Sequence, residues 1–265
     1  MRNTKNTTKR RLINNIRRIN PQNCGDTNCS PLKYFDLHTS YRELCIEKIT
    51  NAPYLLSFIK ESGCSTIIGG GGLVYYGWLH VLRNLPKESI AWGIGLNLHG
   101  KRENGTYPSF FDFFKLVGVR DFGTKYRWVP CVSCMHPFFS KIPPPSRDVV
   151  VYEHYEQPIA LPQGCDFPRL NNGVRDMVTA LKFIASGSTV ITNTYHGVYW
   201  ATLLGRRVVA LPIWDSSRFF FFKHPPLIVN EFSLKDLNKT IRYDESLGEC
   251  VNSNEKFHED VSNSL

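Results

Sequence analysis

Ser188 to Pro212 reads STVITNTYHGVYWATLLGRRVVALP. Val190, Ile191 and Thr192 are a β-branched run, which suits a short buried strand. Asn193 and Thr194 follow as N-cap residues, so a helix is expected to open at Tyr195-His196-Gly197, run through Leu204 and end at Gly205. Val208 to Leu211 reads as the next strand. Strand, turn, helix and strand make a βαβ unit, whose ligands sit beyond the carboxyl end of its first strand. His196 falls at that point. A helix N-terminus there offers unpaired N–H groups and a partial positive charge to an anion. His196 is therefore the first candidate for chemistry; the alternative is a ring satisfied by a backbone carbonyl.

Upstream, Val174, Met177, Val178, Leu181, Ile184 and Ala185 share one helical face closed by Gly187, and Asp148 to Tyr152 reads as a strand with Glu153, His154 and Tyr155 at its carboxyl end. Lys141 to Ser146, KIPPPS, is a stiff linker. Before it, Ser65 to Ile68 reads as a strand running into Gly69 to Gly72, where Gly70, Gly71 and Gly72 are expected to let the backbone approach a phosphate or a sugar. Neither the Lys-Ser/Thr of a P-loop nor the spaced glycines of a dinucleotide fingerprint is present. Ser89 to Leu96 and Val117 to Val119 are further strands. The second ends in Arg120-Asp121, where Arg120 either forks a carboxylate or phosphate or pairs with a nearby acid. Asn23, Gly25 and Asp26 stand at the mouth of a helix expected from Pro31, with the Asp26 carboxylate capping it or facing a ligand. Tyr54 to Lys60, Leu73 to Leu85 and Phe110 to Val117 read as helical. Trp214 to Arg218 leads into four phenylalanines, a block suited to packing between halves or touching lipid.

The pattern points to an α/β fold of two halves flanking the proline linker, each with polar residues at its strand ends. The expected boundaries are a basic tail over 1–20, an N-terminal domain over 21–142, a linker over 143–146, a C-terminal domain over 147–235 and a polar segment over 236–265 that reads as a helix and then a frayed tail. With 265 residues, 42% hydrophobic and 13% aromatic, the chain has the composition of a folded protein.

A formal charge of +9 calls for an acidic partner. Part of the excess lies in residues 1–20, where Leu12, Ile13, Ile16 and Ile19 are spaced as a helical stripe suited to a surface helix or a membrane-surface contact. This stretch lacks the uninterrupted apolar core of a secretory signal, and no run elsewhere approaches a membrane span, so the expectation is a cytoplasmic protein with room for peripheral membrane contact. Eight scattered cysteines are expected to be reduced. Cys131-x-x-Cys134 followed by His136 raises a zinc or redox reading, yet no second pair completes four zinc ligands, and no metal or cofactor is expected. The basic charge is not interleaved with aromatics in a nucleic-acid module, so no nucleic acid is expected; a nucleic-acid or anionic-surface binder stays as the non-enzymatic alternative.

With these pieces in order, the chain resembles the polysaccharide pyruvyl transferase family. The matching parts are Asn-x-Gly-Asp at Asn23 to Asp26, the strand into glycines at Ile67 to Leu73, Ala-Trp-Gly-Ile-Gly at Ala91 to Gly95, Val-Arg-Asp at Val119 to Asp121, and the strand, His-Gly helix and apolar strand of Val190 to Leu211. The resemblance implies a GT-B-like pair of Rossmann-like domains facing across a cleft. It also implies transfer of a pyruvate ketal from phosphoenolpyruvate onto sugar hydroxyls of a glycan or lipid-linked oligosaccharide in cell-surface glycan or exopolysaccharide biosynthesis. It assigns Arg120 and His196 to phosphoenolpyruvate. Asp26 or Glu153 is then expected to serve the acceptor, and Asn193, Thr194, Tyr195 and Gly197 to surround the donor, with phosphate at the Gly197 helix terminus. Thr194 stands where the family commonly carries an arginine, so a second basic group must come from elsewhere. A sugar-nucleotide-dependent glycosyltransferase of the same architecture is the enzymatic alternative.

Overall fold

The computed structural model describes residues 12–100 and 105–265. The first half is built on six strands: β1 (Leu12–Arg17), β2 (Ser40–Cys45), β3 (Ser65–Gly69), β4 (Ile90–Ile94), β5 (Leu116–Val119) and β6 (Arg127–Trp128). Their order is β2-β1-β3-β4-β5-β6 and every pairing is parallel. Its helices are α1 (Cys24–Thr27), α2 (Ile46–Asn51), α3 (Pro53–Glu61) and α4 (Leu79–Arg83). The second half has β7 (Arg147–Glu153), β8 (Arg169–Asn171), helix α5 (Met177–Ser186), β9 (Gly187–Thr192), helix α6 (Tyr195–Leu203), β10 (Arg207–Ala210) and β11 (Leu227–Ile228). Its order is β11-β10-β9-β7-β8, again all parallel.

Read from the second strand of each sheet, both halves wind in the same order, 2-1-3-4-5, with β6 added at the end of the first. Such a sheet reverses direction between its first and third strands, and the crevice outside their carboxyl ends is where a ligand fits. Here those crevices lie after β1 and β3 in one half, and after β7 and β9 in the other.

Each sheet carries apolar side chains on both faces, as parallel sheets do. Ile13 and Ile67 face one cluster with Trp92, whereas Ile16 and Ile68 face another with Leu82 and Phe111. In the second sheet Val150 and Val190 face α5 and α6, while Val149, Val151 and Ile191 face Phe232. The expected strand, helix and strand of Val190 to Leu211 are β9, α6 and β10.

Four expectations change. The helix expected over Phe110 to Val117 is a 3-10 segment, Ser109–Phe113, followed by strand β5 from Leu116. Residues 12–17 are not a helical stripe in a tail but an inner strand, β1, lying between β2 and β3. Its buried Asn15 donates to Ser30 Oγ at 2.9 Å and Asn14 accepts from Arg42, so most of the amide groups inside the sheet keep partners; the Asn15 Oδ1 has none among the described residues. The basic residues before position 12 lie outside the described residues. The helix expected from Pro31 is a single 3-10 turn, Pro31–Lys33, and Asn23 caps the separate helix α1 instead. The polar C-terminal segment has its expected helix, α7 (Ser246–Ser264), but in place of a frayed tail this helix folds back onto the first sheet: Phe257 meets Trp92 edge-on at 5.4 Å, and the Trp92 indole donates to Asn254 at 3.2 Å.

The phenylalanine block packs between the halves. Phe219, Phe220 and Phe222 join the core around α6, whereas Phe221 joins the core of the first sheet. Among the described residues no helix is long and apolar enough to cross a membrane.

Candidate active site

The two switch-point crevices open onto one cleft of about 450 Å³, within the roughly 300–1,000 Å³ of small-molecule sites. The loop after β1 contributes Arg18, Asn23 and Asp26, and the loop after β3 contributes Gly72; the loop after β7 contributes His154 and Tyr155, and the turn after β9 contributes Thr194, Tyr195 and His196. Arg120, just past β5, and Arg218, past β10, complete the floor.

His196 is buried, and room for it is made by a glycine. A Cβ on Gly25 would lie 2.0 Å from His196 Nδ1, so the Asn-x-Gly-Asp motif needs glycine because an imidazole from the other half rests on it. Burial, then the charges of Arg120 and Arg218, hold the His196 pKa down at about 3, so the ring is neutral at neutral pH. Its Nε2 lies 3.6 Å from Cys131 Sγ.

Arg120 is 4% exposed. Its guanidinium lies 3.6 Å above the Tyr195 ring, and its Nε has no hydrogen-bond partner among the described residues. Gly95 supplies the space, since a Cβ there would meet that Nε at 1.9 Å. The neighbouring Asp121 does not pair with it: the carboxylate accepts from the Leu96 N–H at 2.7 Å and from the Tyr107 hydroxyl. Arg218 is the cation that sequence reasoning missed. Its Nε and Nη2 are shielded from water without a partner among the described residues. Burial, then repulsion from Arg120, lowers its pKa to about 10, with Asp26 opposing. Two guanidinium groups left in this condition make a site that an anion would complete.

Asp26 binds Arg18 at 3.2 Å. Burial raises its carboxyl pKa even though Arg18, Arg120 and Arg218 all pull it down. Asn23 lines the cleft too, accepting from the Gly25 and Asp26 N–H groups at 3.0 and 3.4 Å as cap of α1. The rim is aromatic: Trp214, 43% exposed, stacks on His99 at 5.2 Å and meets His154 edge-on at 5.3 Å.

Several expected site residues serve the scaffold instead. Glu153 accepts from the Ile159 N–H at 2.6 Å and from Arg169 at 2.8 Å, on the sheet face shared with Val149 and Val151 and away from the cleft. Asn193 accepts from the His154 N–H at 2.7 Å and donates to Gln157 O at 2.6 Å, joining the ends of β7 and β9 without lining the cleft. The Gly197 N–H is not free for phosphate, because it donates to Thr194 Oγ1 at 2.9 Å. Of the glycine run only Gly72 reaches the cleft. Gly70 has φ +71° and would put a Cβ 1.7 Å from Cys29 O, and the Gly71 carbonyl accepts from the Gly95 N–H at 2.9 Å, so both are spent on chain packing. The cysteines are free thiols, and the His136 side chain accepts from the Phe138 N–H at 3.1 Å as a cap.

Fold and cleft together define an α/β protein of two parallel, Rossmann-like halves with an anion-receptive floor between them. No protein-family model matches the chain, and no curated protein matches it either.

Proposed function

We propose that the protein is a pyruvyl transferase of GT-B-like architecture, which takes phosphoenolpyruvate as donor and a glycan or lipid-linked saccharide as acceptor. The observation that carries this reading is the convergence of Arg120 and Arg218, both with unpartnered guanidinium nitrogens, beside a neutral His196 on one cleft floor. Phosphoenolpyruvate brings a carboxylate and a phosphate, two groups that guanidinium forks suit. Arg218 supplies the second basic group that Thr194 does not.

A proton added to the methylene carbon of the donor leaves an oxocarbenium-like centre at the adjacent carbon. One sugar hydroxyl adds there and loses its proton, the bond to phosphate breaks, and a second hydroxyl closes the ketal with loss of its proton. One hydroxyl proton thus balances the one delivered to carbon and the other leaves on phosphate. Arg120 and Arg218 hold the anionic ends and stabilise the departing phosphate. His196 contacts the donor, and Asp26, whose carboxyl is held up by burial, exchanges protons with the acceptor. Trp214 and the neighbouring His154 offer ring faces to a sugar.

The test is incubation with phosphoenolpyruvate and a panel of glycans, following phosphate release and a ketal mass on the glycan. Arg218→Gln is expected to cut turnover by about 10²–10³-fold, as loss of a charge-stabilising donor does. Phosphate release that persists unchanged in Arg218→Gln, or no release with any glycan, overturns the assignment. A sugar-nucleotide-dependent glycosyltransferase is the second reading, favoured by the exposed Trp214 flanked by two imidazoles, a slot in which a base can stack. Thermal stabilisation by a nucleoside diphosphate sugar and not by phosphoenolpyruvate would select it.

A further inference from the structure

A row of side chains behind the cleft floor runs from the interior of the second half to His196. The Trp200 indole N–H lies 2.9 Å from Ser133 Oγ, Ser133 Oγ lies 3.2 Å from Cys131 Sγ, and Cys131 Sγ lies 3.6 Å from His196 Nε2. Trp200, Ser133 and Cys131 are all fully buried. An indole nitrogen only donates, so the direction of the first bond is settled: Ser133 Oγ accepts. The Ser133 hydroxyl hydrogen then has Cys131 Sγ as its side-chain acceptor within reach among the described residues. With its sulfur accepting from Ser133, the Cys131 thiol hydrogen points to His196 Nε2. In the reverse arrangement, with the proton on Nε2, the Cys131 thiol and the Ser133 hydroxyl have only each other to donate to, so one of the two hydrogens is left buried without an acceptor among the described residues.

We infer that Cys131 and Ser133 are positioning residues that fix His196 as the Nδ1–H tautomer, so that the ring meets an anion in the cleft as a neutral hydrogen-bond donor from Nδ1. Nε2 is turned inward to a buried thiol, and Nδ1 is the edge that lies over Gly25 beside the cleft-lining Asn23 and Asp26. Burial keeps the Cys131 thiol protonated, so its role as donor persists through the neutral range. A thiol pointing into Nε2 also opposes protonation of that nitrogen. His196 therefore serves as a ligand to phosphate or carboxylate and not as the acid that protonates carbon. The part of this inference that concerns the donor substrate rests on the pyruvyl-transfer reading; the tautomer does not.

The test is a long-range ¹H–¹⁵N spectrum of the full chain labelled at histidine nitrogens, without ligand, at neutral pH. The His196 signals are identified by their absence in His196→Asn. Expected is a protonated Nδ1 and an unprotonated, acceptor-type Nε2; the opposite pattern overturns the inference. In Cys131→Ala the Nε2 signal should move toward the protonated position, whereas Cys131→Ser, which keeps a donor, should hold the native pattern. A Cys131→Ala spectrum identical to the native one would remove Cys131 from its positioning role. With inorganic phosphate as probe, Cys131→Ala should weaken binding by about 2–10-fold, the range of one neutral hydrogen bond, and Cys131→Ser should restore it. If the native spectrum shows the Nδ1–H form while phosphoenolpyruvate and glycans give no turnover, the tautomer assignment stands and the proposed reaction falls.

Discussion

At the scale of single residues, the cleft is made of groups whose burial cost has not been offset within the protein. His196 shows this through its proton. In the unfolded chain an imidazole takes up a proton as pH falls through about 6.5, whereas the folded ring resists until about 3. Between those limits the unfolded state binds more protons, so stability falls as pH falls. By pH 5 the residue should cost about 2 kcal/mol relative to pH 7.5. His196→Asn should remove that loss, shrinking by about this amount the difference between urea unfolding free energies at the two pH values. Asp26 works with the opposite sign, because its raised pKa favours the folded state in acid, but it is present in both proteins and cancels in the comparison. An unchanged difference would mean that the folded ring titrates as it does in the unfolded chain, as an exposed imidazole would.

At the scale of elements, β1 is where local pattern and tertiary structure part company. The run Leu12, Ile13, Ile16, Ile19 has helical spacing, and Asn14 and Asn15 interrupt the apolar stretch that a buried strand usually shows. The asparagines are tolerated because Ser30, Thr66 and Arg42, all distant in sequence, take up their amides, and no local pattern announces such partners. Ile16 is fully buried on this inner strand, so Ile16→Ala should cost about 2–5 kcal/mol in urea unfolding. A residue in a detached tail would cost less than about 0.5 kcal/mol, and that result would take residues 12–17 out of the sheet. The β9-α6-β10 unit was legible because its β-branched run, N-cap pair and closing glycine agree with one another. Two of the cleft residues were legible for the same reason: a strand's carboxyl end can be found from local sequence, and His196 and Arg120 follow one, whereas Asp26 stood out only through its Gly-Asp turn. Glu153 follows one as well, but side chains alternate along a strand, and its parity is that of Val149 and Val151 rather than of the cleft. Arg218 was not legible, since its position depends on a loop whose phenylalanines are shared between two cores.

At the scale of the whole molecule, two sheets of the same winding present the carboxyl ends of their strands to one cleft, and each half brings to it one guanidinium with nitrogens unpartnered among the described residues. Without an anion these charges repel, and Arg120 depresses the pKa of Arg218. Arg218→Met should therefore raise the unfolding temperature of the free protein, because an uncompensated charge shielded from water is replaced by an apolar chain of similar length that still packs on Phe219. In an Arg120→Met background the repulsion is already gone, and the same replacement should gain less. The shortfall between the two gains is a coupling of about 0.5–3 kcal/mol, measurable by thermal or urea unfolding of the four proteins. Phosphoenolpyruvate should invert the ranking, since it stabilises in proportion to its affinity and only the native protein offers it both forks. A lower unfolding temperature for Arg218→Met in the absence of anions, or equal gains in both backgrounds, would show that the two arginines do not share a site.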